Sequence, residues 1–304
     1  MNAPLLIPAL DMGNTVPLSR VGHRLALGVQ WVDALTQMPL EPLAGQALCC
    51  DLQAVGTRPW VQRLEAHTQS RHALRLAGRY QRLLARAVEL AEPTGHELRA
   101  YGARDPRLSV YSVDQDPRRF VPRRVALTPV LVDGLPPAST VNTRTAWLWP
   151  GAAYPLPAGS TAVRGRILRS LGGGQSEPIA WARVVCTKPG AGAPNFAAEK
   201  KLGWGHGDDR GEFLLVLGAS AVSGGGALPA QIPLHIWVFL PPPEAVWSAA
   251  DPLASLPLED GGTSALDEVL KGRAVPAAYL PQSARALTLK LGEVRTMNEA
   301  DLLF

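Results

Sequence analysis

Proline and glycine cut this chain into short segments: 28 prolines and 29 glycines are spread through 304 residues rather than gathered in one tract. Proline fixes φ and removes a backbone donor, and each glycine inside a helix costs about 1 kcal/mol relative to alanine. Segments of this kind build short strands and tight turns, not long helices. Between the breaks, period-two alternation appears. Leu25, Leu27, Val29 and Trp31 fall two apart, as one buried face of a strand requires. Residues 46–52, 161–168, 178–186, 212–217, 232–240 and 286–291 read as further strands. The expected fold is mainly β, with two β-sandwich domains.

Domain limits follow from shifts in composition. Residues 1–20, broken by Pro4, Pro8, Gly13 and Pro17, read as an extended arm, and residues 21–132 as the first sandwich. Residues 133–160 are rich in Pro, Gly, Ser and Thr and read as a linker. Trp147, Trp149 and Tyr154 would be costly to leave in water, so that linker is expected to pack along the second sandwich, residues 161–242. Residues 243–304 read as a tail with a short helix ending near Arg273, capped by Thr263 or Ser264, and one strand. Residues 79–91 fit a helix, through Tyr80, Leu83, Leu84 and Ala87, and fit a strand equally well.

The formal charge is +4, and arginine supplies most of the positive charge. A charge this small does not indicate nucleic-acid binding, whereas arginine's planar fork suits carboxylates and backbone carbonyls in protein contacts. Cys49 and Cys50 are adjacent, so on a strand they point to opposite faces and do not bridge each other. Cys186 stands alone, and no zinc-type Cys/His spacing occurs; reduced thiols are expected. The first ten residues lack a basic region and are interrupted by Pro4 and Pro8, unlike a signal peptide. No stretch reaches membrane-spanning length without charge or proline. The expectations are cytoplasmic localisation, no membrane partner and no nucleic-acid partner.

An internal duplication is visible in order and spacing. Gly28 to Leu40 aligns loosely with Gly165 onward, and in both regions a short second strand ends at cysteine, Cys50 and Cys186. Each region is expected to close on another apolar strand, residues 124–131 in one and 233–240 in the other. The second copy carries Val163-Arg-Gly-Arg-Ile-Leu168, then Pro178-Ile-Ala-Trp-Ala-Arg-Val184, then Asp208-Asp-Arg-Gly-Glu-Phe-Leu-Leu215. This succession resembles the carboxypeptidase-regulatory-like, or transthyretin-like, β-sandwich family over residues 160–240, with a fainter echo over 22–132. The resemblance implies transthyretin-like or Ig-like sandwiches acting as rigid accessory, adhesion or assembly modules.

His206, Asp208 and Asp209 are the best candidates for metal or acid–base chemistry. A tight turn capped by an aspartate and freed by Gly211 accounts for the same residues, and that reading is preferred. No His-Glu-x-x-His, Gly-x-Ser-x-Gly or phosphate-binding loop is present. No catalytic residue, metal or cofactor is expected. The residues singled out for protein interaction are Arg118, Arg119, Phe120, Arg123 and Arg124, as a docking surface for an acidic partner, and the apolar terminus Leu302, Leu303 and Phe304. A solvated or carbonyl-capping strand edge is the bland reading of the same arginines. The expected function is a non-enzymatic structural or assembly subunit whose partners are other protein subunits or further copies of itself, in a phage-tail-like or contractile injection particle for example. One alternative is a carbohydrate- or substrate-binding module using Trp147, Trp149 or Trp204. A hydrolase whose residues meet only in the fold is another.

Overall fold

The computed structural model describes residues 25–40, 46–51, 61–75, 108–113, 118–127, 143–218, 231–242, 256–261 and 267–304. The arm over residues 1–20 and the ambiguous residues 79–91 lie outside the described residues.

The first sandwich comprises β1 (Leu25–Asp33), β2 (Gln46–Asp51), β3 (Val61–Arg63), β4 (Glu65–His67), β5 (Arg71–Arg75), β6 (Leu108–Val113), β7 (Arg124–Leu127) and β8 (Thr143–Leu148). One sheet runs β4-β5-β1-β8 and the other runs β7-β6-β2-β3. The alternation in β1 sends Leu27, Val29 and Trp31 into the space between them, where they meet Leu74, Val110, Val125, Leu127 and Leu148.

The second sandwich comprises β9 (Ala162–Arg166), β12 (Arg183–Lys188), β13 (Lys200–His206), β14 (Glu212–Val216), β15 (Gln231–Leu240), β18 (Arg285–Lys290) and β19 (Val294–Thr296). A hairpin of β10 (Leu168–Gly172) and β11 (Gln175–Pro178) follows β9, and the short β17 (Leu280–Pro281) precedes β18. One sheet is β14-β9-β19; the other is β13-β12-β15, with β17 and β18 both on the far side of β15. Ile232, Leu234, Ile236 and Val238 of β15 fill the core, while Trp237 and Phe239 pack on the outer face with Val185 and Tyr279. Both faces of β15 are covered, so the strand reads as a nearly continuous apolar run. At Gly203 and Gly205 of β13, a Cβ would come within 3.1 Å of the carbonyls of Val216 and Leu214. These glycines let β13 close tightly over β14.

The two sandwiches share one topology. Only Leu64 separates β3 from β4, and counted as one strand they give each sandwich seven. In each, the first strand then pairs antiparallel with the fourth and parallel with the seventh: β1 with β5 and β8, β9 with β14 and β19. The second strand pairs with the third and fifth, and the fifth with the sixth: β2 with β3 and β6, then β6 with β7; β12 with β13 and β15, then β15 with β18. This repeat redraws the expected limits. The seventh strand of the first sandwich, β8, lies in the expected linker, and the sixth and seventh of the second, β18 and β19, lie in the expected tail. The expected match of residues 124–131 to 233–240 is also corrected: β7 corresponds to β18, and β15 corresponds to β6. Composition marks a strand but not the neighbour it pairs with.

The tail also reaches back to the first sandwich. Its β16 (Leu258–Asp260) adds to the edge of β7 in parallel, with Glu259 opposite Val125. The expected helix ending near Arg273 is not formed: residues 267–273 make turns held by the Asp267 carboxylate, which accepts from the amides of Val269 and Leu270 at 2.7 and 3.4 Å; its proposed caps, Thr263 and Ser264, lie outside the described residues. Among the described residues the only helical element is a 3-10 turn over Glu299–Leu302, and no helix is long and apolar enough to cross a membrane.

Candidate functional site

The tail crosses the seam between the sandwiches, and three of the buried charges, Arg123, Arg183 and Glu259, meet there. Pairing of β16 with β7 carries Glu259 into the interior, where it is 2% exposed beside Arg123 at 1% and Arg183 at 4%. Arg123 donates through Nε and Nη2 to the two Glu259 oxygens at 3.0 and 2.8 Å. Arg183 donates through Nη2 to Oε1 at 3.0 Å. The remaining Arg123 donors are used on backbone: Nη1 reaches the Trp147 and Leu270 carbonyls, both at 2.8 Å, and Nη2 also reaches Val269. Burial alone would raise the Glu259 pKa, but the two guanidiniums outweigh it and hold the carboxyl below its ordinary value. One carboxylate from the tail thus joins an arginine from each sandwich. Around this triad, Tyr111 and Val121 of the first sandwich pack on Trp181 of the second and Leu256 of the tail. Arg183 also lies over the Tyr279 ring, whose hydroxyl donates to the Trp181 carbonyl at 3.1 Å.

His206 belongs to the same seam. Its ring stacks on Trp149 at 5.7 Å between centroids, and Nε2 contacts the Gly272 carbonyl at 2.9 Å. Two residues on, Asp208 Oδ1 accepts from the amides of Arg210 and Glu212, both at 2.9 Å, and Gly211 takes φ +73°. The preferred reading of this stretch, a capped turn, accounts for both side-chain hydrogen bonds of Asp208. Among the described residues no cluster of three His, Cys, Asp or Glu side chains is placed to hold a metal.

A second acid–histidine pair lies on the outer face of β12 and β15. The Glu199 carboxylate meets His235 Nδ1 at 2.8 Å and accepts from the Thr187 hydroxyl, the Asn195 amide and the Trp237 indole. Burial opposes its ionisation, but these donors, Thr187 foremost, hold its pKa down to about 2. Four donors fill the capacity of a carboxylate, so this pair fastens the loop carrying Glu199 to the sheet.

The residues expected to make a docking surface are mostly turned inward. Arg123 is in the triad; Arg124 is buried with its guanidinium 5.3 Å from the Tyr111 ring centre. Phe120 is buried edge-on against Tyr154 at 5.5 Å, under Arg119. Arg118 faces solvent and pairs with Glu212 at 3.3 Å. At the C-terminus, Leu302 is fully buried in the second core, Phe304 is half-buried under Arg285, and Leu303 is exposed. The carbonyl-capping reading of the arginines describes Arg123, and the apolar terminus finds its dock within the chain. Glu259 and Arg183 were not singled out by sequence; the one available signal was an acidic residue following the apolar Leu256-Pro-Leu258.

An open cleft of about 480 Å³ is lined by residues of both sandwiches and of the tail. The turn after β1 supplies Ala34, Leu35 and Gln37, β13 supplies Lys201 to Trp204, and Trp149, Val216, Gly218, Glu268 and Arg273 complete the wall.

No protein-family profile matches the chain, and no curated protein matches it. Among solved structures, a 9R-lipoxygenase from Cyanothece PCC8801 is 17% identical over 29% of this chain and 13% of its own, with a TM-score of 0.19. The Bacillus anthracis TIE protein is 8% identical over 89% of this chain and 32% of its own, at 0.22. A streptococcal ancillary pilin is 10% identical over 77% and 60%, at 0.18. The chain spans less than two thirds of each of these proteins, and scores this low carry no argument about fold or function.

The seam makes stability depend on pH. Burial, then the charges of Arg183 and Arg123, push the His206 pKa well below the ordinary 6.5. The unfolded chain therefore binds a proton that the folded chain refuses, and stability falls as pH drops below about 6.5. Glu259 and Glu199, both depressed from 4.5, add a further loss below about pH 4.5. Urea unfolding is expected to show a decline of up to about 1.4 kcal/mol per pH unit between about pH 6.5 and 5. His206→Gln keeps an N–H for Gly272 and is expected to flatten that decline. An unchanged slope would show that His206 does not set it.

Proposed function

We propose that this chain is a non-enzymatic structural module, built of two tandem sandwiches of the carboxypeptidase-regulatory-like or transthyretin-like kind, that docks other protein subunits within a larger assembly. The twice-repeated seven-strand topology supports the family reading. The β10–β11 hairpin carries the docking reading. Beyond Leu168 its residues are largely exposed, Leu171 at its tip is 55% exposed, and Gly172, Gly173 and Gly174 turn it through positive φ. Its inner strand is tied to the C-terminus by the Leu168–Leu303 bridge and by Ser170 N–H to the Phe304 carbonyl at 2.9 Å. The outer strand, β11, has no further strand beside it among the described residues. A two-stranded hairpin is marginal in water by itself, and an open edge is a template for pairing with another chain. A phage-tail-like or contractile injection particle is one assembly that would use such a module.

The test is the native size of the full chain in extracts of its own cells, by mass photometry after mild cross-linking. Leu171→Asp is expected to release the chain from its complex while changing unfolding free energy by less than about 0.5 kcal/mol, as an exposed position allows. A wild-type chain that runs as a monomer under those conditions overturns the reading.

A further inference from the structure

We propose that the cleft between the sandwiches binds an acidic saccharide, with the sugar ring against Trp204 and its carboxylate on Arg273. The inference goes beyond the assembly reading and does not depend on it. A volume of about 480 Å³ falls within the ~300–1,000 Å³ of small-molecule sites. Trp149 is fixed in its wall, because its indole N–H donates to the Lys271 carbonyl at 2.9 Å. Trp204 is half-buried on β13 and lines the same wall. Indole faces are flat and apolar and suit the C–H face of a sugar ring. Trp147 instead lies under Arg273, with the guanidinium 4.8 Å from its ring centre.

That stacking is the only interaction of the Arg273 guanidinium among the described residues. A stacked guanidinium keeps its plane and leaves its N–H fork for a carboxylate. The local charge favours an anion. Lys201 also lines the cleft, its ammonium hydrogen-bonded to the Phe196 carbonyl at 2.6 Å, and the one acidic lining side chain, Glu268, is paired with Lys271 at 2.9 Å. Gln37 and Glu268 at the rim offer partners for hydroxyls. Inorganic phosphate would leave the Trp204 indole unused. An aromatic acid would use Trp204 and the arginine but not the polar rim.

The experiment is calorimetric titration of the full chain with digalacturonate, the matched neutral disaccharide and benzoate, alongside tryptophan fluorescence. Saturable binding of digalacturonate is expected, with the neutral sugar weaker by about tenfold or more, as loss of a charged hydrogen bond implies, and with benzoate, which keeps the carboxylate but has no hydroxyls for the rim, weaker than digalacturonate. Arg273→Gln is expected to remove the preference for the acidic sugar, and Trp204→Ala to weaken both sugars. Thermal unfolding of each variant checks its fold; should Arg273→Gln fail to fold, Arg273→Lys keeps the charge, loses the fork and is expected to bind digalacturonate less tightly. Absence of saturable digalacturonate binding overturns the proposal, as does an undiminished affinity in folded Arg273→Gln. Tighter binding of benzoate or of the neutral sugar overturns it too.

Discussion

Glu259→Gln is expected to destabilise the chain by about 3–5 kcal/mol, because it leaves buried guanidiniums without their counter-charge. Arg123 and Arg183 both donate to the Glu259 oxygens from positions that water does not reach. Glutamine keeps one acceptor and turns the other into an N–H₂ group facing arginine donors, so a lost attraction becomes a donor–donor conflict. Urea unfolding at pH 7 measures the loss. Adding Arg183→Met to Glu259→Gln removes one uncompensated charge and is expected to recover part of it. Adding Arg123→Met instead is expected to recover less, because the carbonyls of Trp147, Leu270 and Val269 then lose a charged donor, although Leu270 and Val269 keep the amides of Trp147 and Gly272. The triad joins the sandwiches, so Glu259→Gln is further expected to split a single unfolding transition into two. A loss below about 1 kcal/mol with one transition would show that the seam is held by its apolar contacts instead.

This triad also marks where the sequence stops being legible. The alternation at Leu25, Leu27, Val29 and Trp31 identifies β1 and its inward face, because period two is local information. The capped turn at Asp208 and Gly211 is equally local, and its residue types state its geometry. Duplication was legible for the first and second strands, where spacing is similar. It failed at the fifth and sixth because β16, β17 and the turns around them are inserted between β15 and β18. Nothing in Thr143 to Leu148 says that this segment pairs parallel with β1, since parallel partners are joined by long connections that leave no short-range signal. The paired arginines 118, 119, 123 and 124 looked alike in sequence. Only tertiary placement decides that Arg118 meets solvent while Arg123 meets a carboxylate 136 residues away.

Leu302→Ala is expected to cost about 2–5 kcal/mol, the usual cost of truncating a buried leucine, even in an isolated monomer. Leu302 is fully buried in the second core, and its seat is specific. A Cβ added to Gly165 on β9 would lie 2.5 Å from Leu302 Cδ1 and 3.0 Å from Phe213 Cε1. Gly165→Ala alone is therefore expected to overpack the site by about 1–3 kcal/mol. In the double variant the shortened residue 302 vacates the space that the new methyl needs, leaving only the Phe213 contact. The two losses should then fall short of additivity by about 0.5 kcal/mol or more, where independent sites would simply add. This cycle separates two roles for the C-terminus. A terminus that wrapped a neighbouring subunit would leave the monomer's stability unchanged by Leu302→Ala and lower only its affinity for the partner. A terminus seated on Gly165 loses stability alone and shows coupling, and it leaves Leu303 and the hairpin beside it as the part of this edge that faces outward.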